Sequence, residues 1–252
     1  MRFDGKIVIV TGAGSGIGKR CAEMFAAEGA LVVAVDRALE RLEETVAAIR
    51  SSGHDAVAVR ADVSKNDEVR AMVQQVIRDH KQIDVLHNHA GILSARDASI
   101  LDIEEEAIDE TLSNNVKSQM LVAKYVASEM AKNKRGAIVN TASDLSFIAL
   151  AGVCGYVTSK AAILGLTRAM AVDLAPYNIR VNAVCPGFVY DTGMTAGLAA
   201  NEAVMNEMKK SYLIPRLGRP ADIAPSVLHL ASEDSGFTTG AFLVIDGGHT
   251  VW

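Results

Sequence analysis

Cysteine is scarce in this chain: Cys21, Cys154 and Cys185 are the only three. An odd number with no Cys-x-x-Cys pair excludes a disulfide framework and suits a reducing compartment, so a cytoplasmic location is expected. Long apolar runs are also missing, and nothing approaches the roughly 20 residues that span a bilayer. Met1 to Val10, interrupted by Arg2, Asp4 and Lys6, lacks the basic start and apolar core of a signal peptide. No membrane association is expected. Excess positive charge is absent too: 25 Lys and Arg face 30 Asp and Glu, a net charge of −5. Bulk attraction to nucleic acid is therefore excluded. Metal ligands are few, since His87 and His89 form a His-x-His pair with no further ligand nearby, and no metal is expected.

What the chain has in quantity is apolar residues, at 50% of 252. That supports one large core and a single domain over residues 1–252. Short β-branched runs alternate with longer helical patterns. Residues 6–10, 31–35, 56–60, 85–87, 137–140, 179–184 and 242–245 read as strands. Helices are expected over residues 39–51, 65–80, 104–132 and 156–174, with another through Cys21, Met24 and Phe25. Continuous apolar strands between helices predict an α/β fold: a doubly wound, Rossmann-type sheet of about seven mostly parallel strands, covered on both faces. Residues 187–215, with Gly193, Gly197, Met194, Met205 and Met208, form the one irregular stretch. A substrate lid is expected there.

Between the first strand and its helix lies Thr11-Gly12-Ala13-Gly14-Ser15-Gly16-Ile17-Gly18. Glycines allow a tight turn and close backbone approach to a pyrophosphate, whose charge a helix N-terminus favours. Asp36 closes the second strand, where a carboxylate accepts from adenosine ribose hydroxyls and repels a 2′-phosphate. NAD is therefore expected over NADP, although Arg37 adjoins Asp36.

Tyr156 and Lys160 are spaced to share one helical face, with Ser143 upstream. A phenol titrates near 10 and carries protons poorly at neutral pH, but an adjacent ammonium favours the phenolate. A serine hydroxyl beside them would hold a substrate oxygen. The trio would move a proton to or from an alcohol.

Together these motifs resemble the short-chain dehydrogenase/reductase superfamily along essentially the whole chain. The glycine turn is similar to its cofactor motif, including Gly12, Ser15, Gly16, Ile17 and Gly18. Asp62-Val63 resembles its adenine contact, and Asn88-His89-Ala90-Gly91 its Asn-Asn-Ala-Gly element. Asn115, Ser143, Tyr156 and Lys160 match its catalytic positions, while Pro186-Gly187, Arg219-Pro220 and Asp246-Gly247-Gly248 match later landmarks. The resemblance implies that Tyr156 is general base for alcohol oxidation and general acid for ketone reduction. It implies that Lys160 lowers the tyrosine pKa and binds the nicotinamide ribose, that Ser143 orients the substrate oxygen, and that Asn115 holds a water leading to solvent. Val189 and Thr192 would approach the nicotinamide carboxamide and phosphates. A homotetramer or homodimer is implied, through the helices over residues 104–132 and after Tyr156.

The chain departs from the family pattern in three places. His89 replaces the second asparagine, Ser118 stands where glycine is usual, and Pro186 to Thr192 runs one residue longer, near Tyr190 and Asp191. Positions expected at the substrate are Ser143, Asp144, Leu145, Cys154, Tyr156, Phe188, Tyr190 and Met194, with Ser94 as a further wall position. Their mixed character suits a small cyclic alcohol, polyol or hydroxylated ring. Arg96 is placed to pair with an anionic substrate or to face solvent. The rival expectations are a reductase of 3-oxoacyl-ACP or 3-oxoacyl-CoA thioesters, which Asp36 disfavours, and a non-catalytic NAD-binding protein.

Overall fold

The computed structural model describes residues 1–190, 192–195 and 202–251. Asp191 and Gly197 lie outside them, as does Trp252. Seven strands form one sheet in the order β3-β2-β1-β4-β5-β6-β7. They are β1 (Ile7–Thr11), β2 (Leu31–Asp36), β3 (Ala56–Arg60), β4 (Val85–Asn88), β5 (Gly136–Thr141), β6 (Ile179–Pro186) and β7 (Phe242–Ile245). Every pairing is parallel. Such strands are buried on both faces, which is why β1 is buried at all five positions and reads as an unbroken apolar run.

The covering helices are α1 (Gly16–Ala27), α2 (Leu39–Ser51), α3 (Asn66–His80), α4 (Glu105–Leu112), α5 (Ser118–Lys132), α6 (Cys154–Leu174), α7 (Glu202–Lys209) and α8 (Pro220–Ala231). One apolar layer joins α1, α2 and α8 to the sheet through Cys21, Phe25, Leu42, Ile223 and Leu228. The opposite layer joins α3, α5 and α6 through Val69, Met72, Val126, Met130 and Met170. At about 25 cal/mol per Å² of apolar surface, these layers are the main stabilising term. Among the described residues no helix is long and apolar enough to cross a membrane.

Two local expectations change. The single helix expected over residues 104–132 is interrupted by a π-helical turn at Ser113–Lys117 that contains Asn115. The extra residue in that turn re-aims one side chain without ending the helix, a feature common at functional sites. Ser118, buried in the turn that follows, donates its hydroxyl to the Asn114 carbonyl, so the added oxygen is satisfied. The irregular stretch also contains helical structure, the eight-residue α7.

The strand order reverses between β1 and β4, since β1 has β2 on one side and β4 on the other. A crevice outside the carboxyl ends of the strands is expected at that point. The glycine turn leaves β1 there, and Asn88 to Gly91 leave β4.

Candidate active site

The glycine turn requires its glycines at two positions in particular. Gly16 has φ +54°, and a Cβ on Gly18 would lie 2.1 Å from the Gly12 carbonyl oxygen. Asp36 Oδ2 accepts from Gly14 N at 3.1 Å, and Oδ1 from Ala38 N at 2.9 Å. The carboxylate is thereby fixed against the turn. α1 begins without a side-chain cap and without an acidic residue in its first turn, so its free N–H groups and positive dipole end suit an anion. These features fit a dinucleotide pyrophosphate.

Across the crevice, Thr11 Oγ1 accepts from the backbone N–H of His89 at 2.9 Å and of Ala90 at 3.1 Å. This holds the β4 loop on the turn. Gly91 lies against the opposite group: a Cβ there would be 3.1 Å from Asn115 Oδ1 and 3.6 Å from Lys160 Nζ. The Asn88 side chain instead braces the interior, donating to Gln119 O and Asn140 Oδ1.

Asp62 ends on Ser64, whose N–H and hydroxyl donate to it at 3.0 and 2.7 Å. Burial opposes its ionisation, yet the Ser64 hydrogen bonds and the positive charges of Arg37 and Lys65 bring its pKa below the usual value. Arg37 itself is exposed. Ile17 is buried in one apolar layer, and Val63 packs partly buried against the other.

Tyr156, Lys160 and Ser143 converge beyond the ends of β4, β5 and β6. Lys160, 3% exposed, donates to the Thr141 carbonyl at 3.0 Å and lies 5.6 Å from the Tyr156 ring centroid. Burial dominates both groups. It pushes Tyr156 up to about 12, against a lowering contribution from its hydrogen bond with Ser143. It pushes Lys160 down to about 8. Burial is thus the largest influence on both groups, and the Lys160 ammonium faces the phenol's ring.

Asn115 is clamped from three sides. Its Nδ2 donates to Ile92 O at 2.8 Å and to Ser159 Oγ at 3.0 Å, and its Oδ1 accepts from Ile92 N at 2.7 Å. Its amide is therefore fully engaged with the β4 loop and α6.

His89 and its neighbour His87 have no counterpart in the expectation of a second asparagine. Their rings stack at 5.2 Å and share one partner, Thr141 Oγ1, at 3.2 and 3.1 Å. The same ring covers the glycine turn, since a Cβ on Gly12 would lie 3.2 Å from His89 Cδ2. Burial holds His89 down to about 3 and His87 well below its ordinary value. Both are neutral in the folded protein at pH 7.

Described residues of the loop after β6 lie against the glycine turn. Gly187 donates to Ile245 O at 3.0 Å, which extends the Pro186 end of β6. Val189 packs into the core at 5% exposure, and its backbone is bridged to Gly218. Thr192 lies over the glycine turn, where a Cβ on Gly16 would meet its Cβ at 2.9 Å.

The expected substrate positions divide. Leu145 N–H donates to Ser143 Oγ at 3.2 Å and to Asp144 Oδ1 at 2.7 Å, so both stay beside the trio. Cys154 opens α6, and Phe188 N–H donates to Tyr212 OH at 3.0 Å. Tyr190 is held by Arg219, which donates to its hydroxyl, and Met194 is 43% exposed. Ser94 and Arg96 are both spent on Glu110, at 2.7 and 3.2 Å. Arg96 is therefore in an ion pair and not free for an anion.

Several residues at the site carry no local sequence signal: Asp97, Thr141, Ser159, Thr195, Tyr212 and His249. Thr195, for example, donates to Val189 O at 3.0 Å and shapes the loop over the turn.

The family model described as Enoyl-(Acyl carrier protein) reductase matches residues 12–250. The chain belongs to the short-chain dehydrogenase/reductase superfamily. It is 42% identical over 253 residues to an uncharacterized oxidoreductase of Thermotoga maritima, covering 99% of each chain. It is 37% identical to the 3-oxoacyl-[acyl-carrier-protein] reductase of the same organism, covering 98% of this chain and 99% of the other. It is also 37% identical to an NAD-dependent glycerol dehydrogenase of Listeria innocua, covering 98% and 94%. The chain is an oxidoreductase of this superfamily, a group that uses nicotinamide cofactors on small molecules.

Proposed function

We propose that the protein is an NAD-dependent alcohol dehydrogenase that oxidises a secondary alcohol, with Tyr156 as the group that takes the hydroxyl proton. The observation that carries this reading is the meeting of Tyr156, Ser143 and Lys160 beside Gly91, across the crevice from the glycine turn. NAD supplies the hydride acceptor when bound. This chain's residues then do the rest. Gly12 to Gly18 and the α1 N-terminus hold the pyrophosphate, and Asp36 receives the adenosine ribose. Ser143 orients the reacting oxygen, Tyr156 accepts its proton, and Lys160 holds a positive charge beneath the phenol.

Asp36 supports NAD over NADP, because its carboxylate is fixed on Gly14 where a 2′-phosphate would approach. Of a polyol, a small cyclic alcohol and a hydroxylated ring, the similarity to a glycerol dehydrogenase favours the polyol. The similarity to a 3-oxoacyl reductase keeps thioester reduction as the second reading. A cytoplasmic location agrees with three free cysteines. A homodimer or homotetramer through α4 to α6 agrees with the exposed Leu112, Met120 and Val172; a monomer in sedimentation at micromolar concentration contradicts it.

The test is a panel of alcohols, polyols and a 3-oxoacyl thioester, each with NAD(H) and NADP(H), read at the reduced-nicotinamide absorbance. The reading predicts turnover of a hydroxylated compound with NAD. Thioester reduction with NADPH as the best activity overturns it.

A further inference from the structure

Ser143 has one hydroxyl proton and more than one acceptor for it. It donates to Asp144 Oδ1 at 2.8 Å, although the Tyr156 phenol is also within its hydrogen-bonding reach. Asp144 is 4% exposed, yet no Lys or Arg pairs with it among the described residues. Among the described residues the basic side chain that meets it is His249, with Nδ1 2.8 Å from Asp144 Oδ2. A carboxylate can only accept, so Nδ1 carries the proton. His249 arrives from the turn after β7, and its ring lies on Tyr212 at 4.8 Å. Tyr212 in turn receives the Phe188 N–H, at the root of the loop after β6. A contact chain thus runs from the C-terminal turn to the hydroxyl that faces Tyr156.

We propose that Asp144 and His249 form a positioning dyad: His249 binds Asp144 Oδ2 and weakens its hold on Ser143, so that the Ser143 proton turns to the reacting oxygen as Tyr156 ionises. The dyad rests on the reading of Tyr156 given above. The groups facing it are few. Tyr156 comes from α6 and Cys185 from β6 toward Asp144, which Tyr212 also faces, while Asp246 and Tyr212 face His249. The negative charge of Asp144 opposes formation of the Tyr156 phenolate. Whatever tempers that charge therefore assists the base.

The experiment reads tyrosinate absorbance as a function of pH with NAD present, which needs no substrate. Five tyrosines absorb, so Tyr156→Phe serves as the blank that removes the other four. Asp144→Asn keeps an oxygen acceptor but not the charge. It should lower the Tyr156 midpoint by about one pH unit, raising its ionised fraction near pH 11 about fivefold. His249→Ala should move the midpoint the opposite way, and His249→Asn, which keeps an N–H donor, should restore it. In the Asp144→Asn background, His249→Ala should have no further effect. NAD binding and melting temperature, measured on each variant, report folding separately.

The dyad is overturned if Asp144→Asn leaves the midpoint in place, or if His249→Ala shifts it equally with and without Asp144. Retained NAD-linked turnover in Tyr156→Phe would instead overturn the reading of Tyr156, whatever the titrations show.

Discussion

Asp97 Oδ2 accepts the backbone N–H of Tyr156 at 2.7 Å. Its other oxygen accepts from Gly155 at 2.9 Å. The loop after β4 therefore caps α6 at the turn that carries the proposed base. A carboxylate on free N–H groups at a helix start also complements the helix dipole. Asp97→Ala should cost about 1–2 kcal/mol of stability and lower kcat more than it changes the KM for NAD. Chemical unfolding and steady-state kinetics check this; unchanged kcat with lowered stability would leave Asp97 with folding alone.

Lys160 makes the cost of a buried cation measurable. Its folded pKa of about 8 lies below the ordinary 10.5, so between these values the unfolded chain binds more protons than the folded one. Its destabilising effect is then full below pH 8 and fades as pH rises toward 10.5. Lys160→Met should abolish turnover while stabilising the fold by about 1–3 kcal/mol at pH 7. Urea midpoints at pH 7 and pH 10 should show the gain shrinking. A less stable variant at pH 7 contradicts the assignment.

His87 and His89 predict acid sensitivity. Burial keeps both neutral in the fold, whereas the unfolded chain protonates them below about 6.5. Stability should fall as pH drops through that value, by about 2 kcal/mol for fully buried His87 at pH 5, with His89 adding in the same direction. His89→Asn should flatten the acid limb of a plot of melting temperature against pH. An acid limb identical to wild type would show that His89 does not contribute.

Cofactor choice should turn on Asp36. Asp36→Ser removes the charge that would face a 2′-phosphate, and the kcat/KM ratio of NADP to NAD should rise about tenfold or more. Some stability is expected to be lost as well, because the Gly14 and Ala38 N–H groups lose their carboxylate partner. An unchanged ratio places the discrimination elsewhere.

The strands and the glycine turn were legible because their causes are local: apolar runs buried on two faces, and glycines where a Cβ cannot fit. The helix over residues 104–132 shows the limit of that reading. Its apolar periodicity survives one extra residue, so nothing in the pattern marks the π turn that aims Asn115. Contacts across the fold were also hidden. Asp97 with Tyr156, Thr141 with both histidines, and Asp144 with His249 join segments far apart in sequence. Each depends on the sheet being assembled first. How Tyr156 and Lys160 titrate was hidden for a different reason: helical spacing gives proximity, but burial, which depends on the assembled fold, weighs most on each group.

The central claim is that Tyr156 takes the proton of an alcohol whose hydride goes to NAD. The most direct measurement is Tyr156→Phe assayed with the best alcohol from the panel, alongside direct binding of NAD. Removing one hydroxyl at the start of α6 should lower kcat/KM by about 10²–10⁴-fold while NAD binds as in wild type. Turnover within about twofold of wild type, with NAD still bound, would contradict the account.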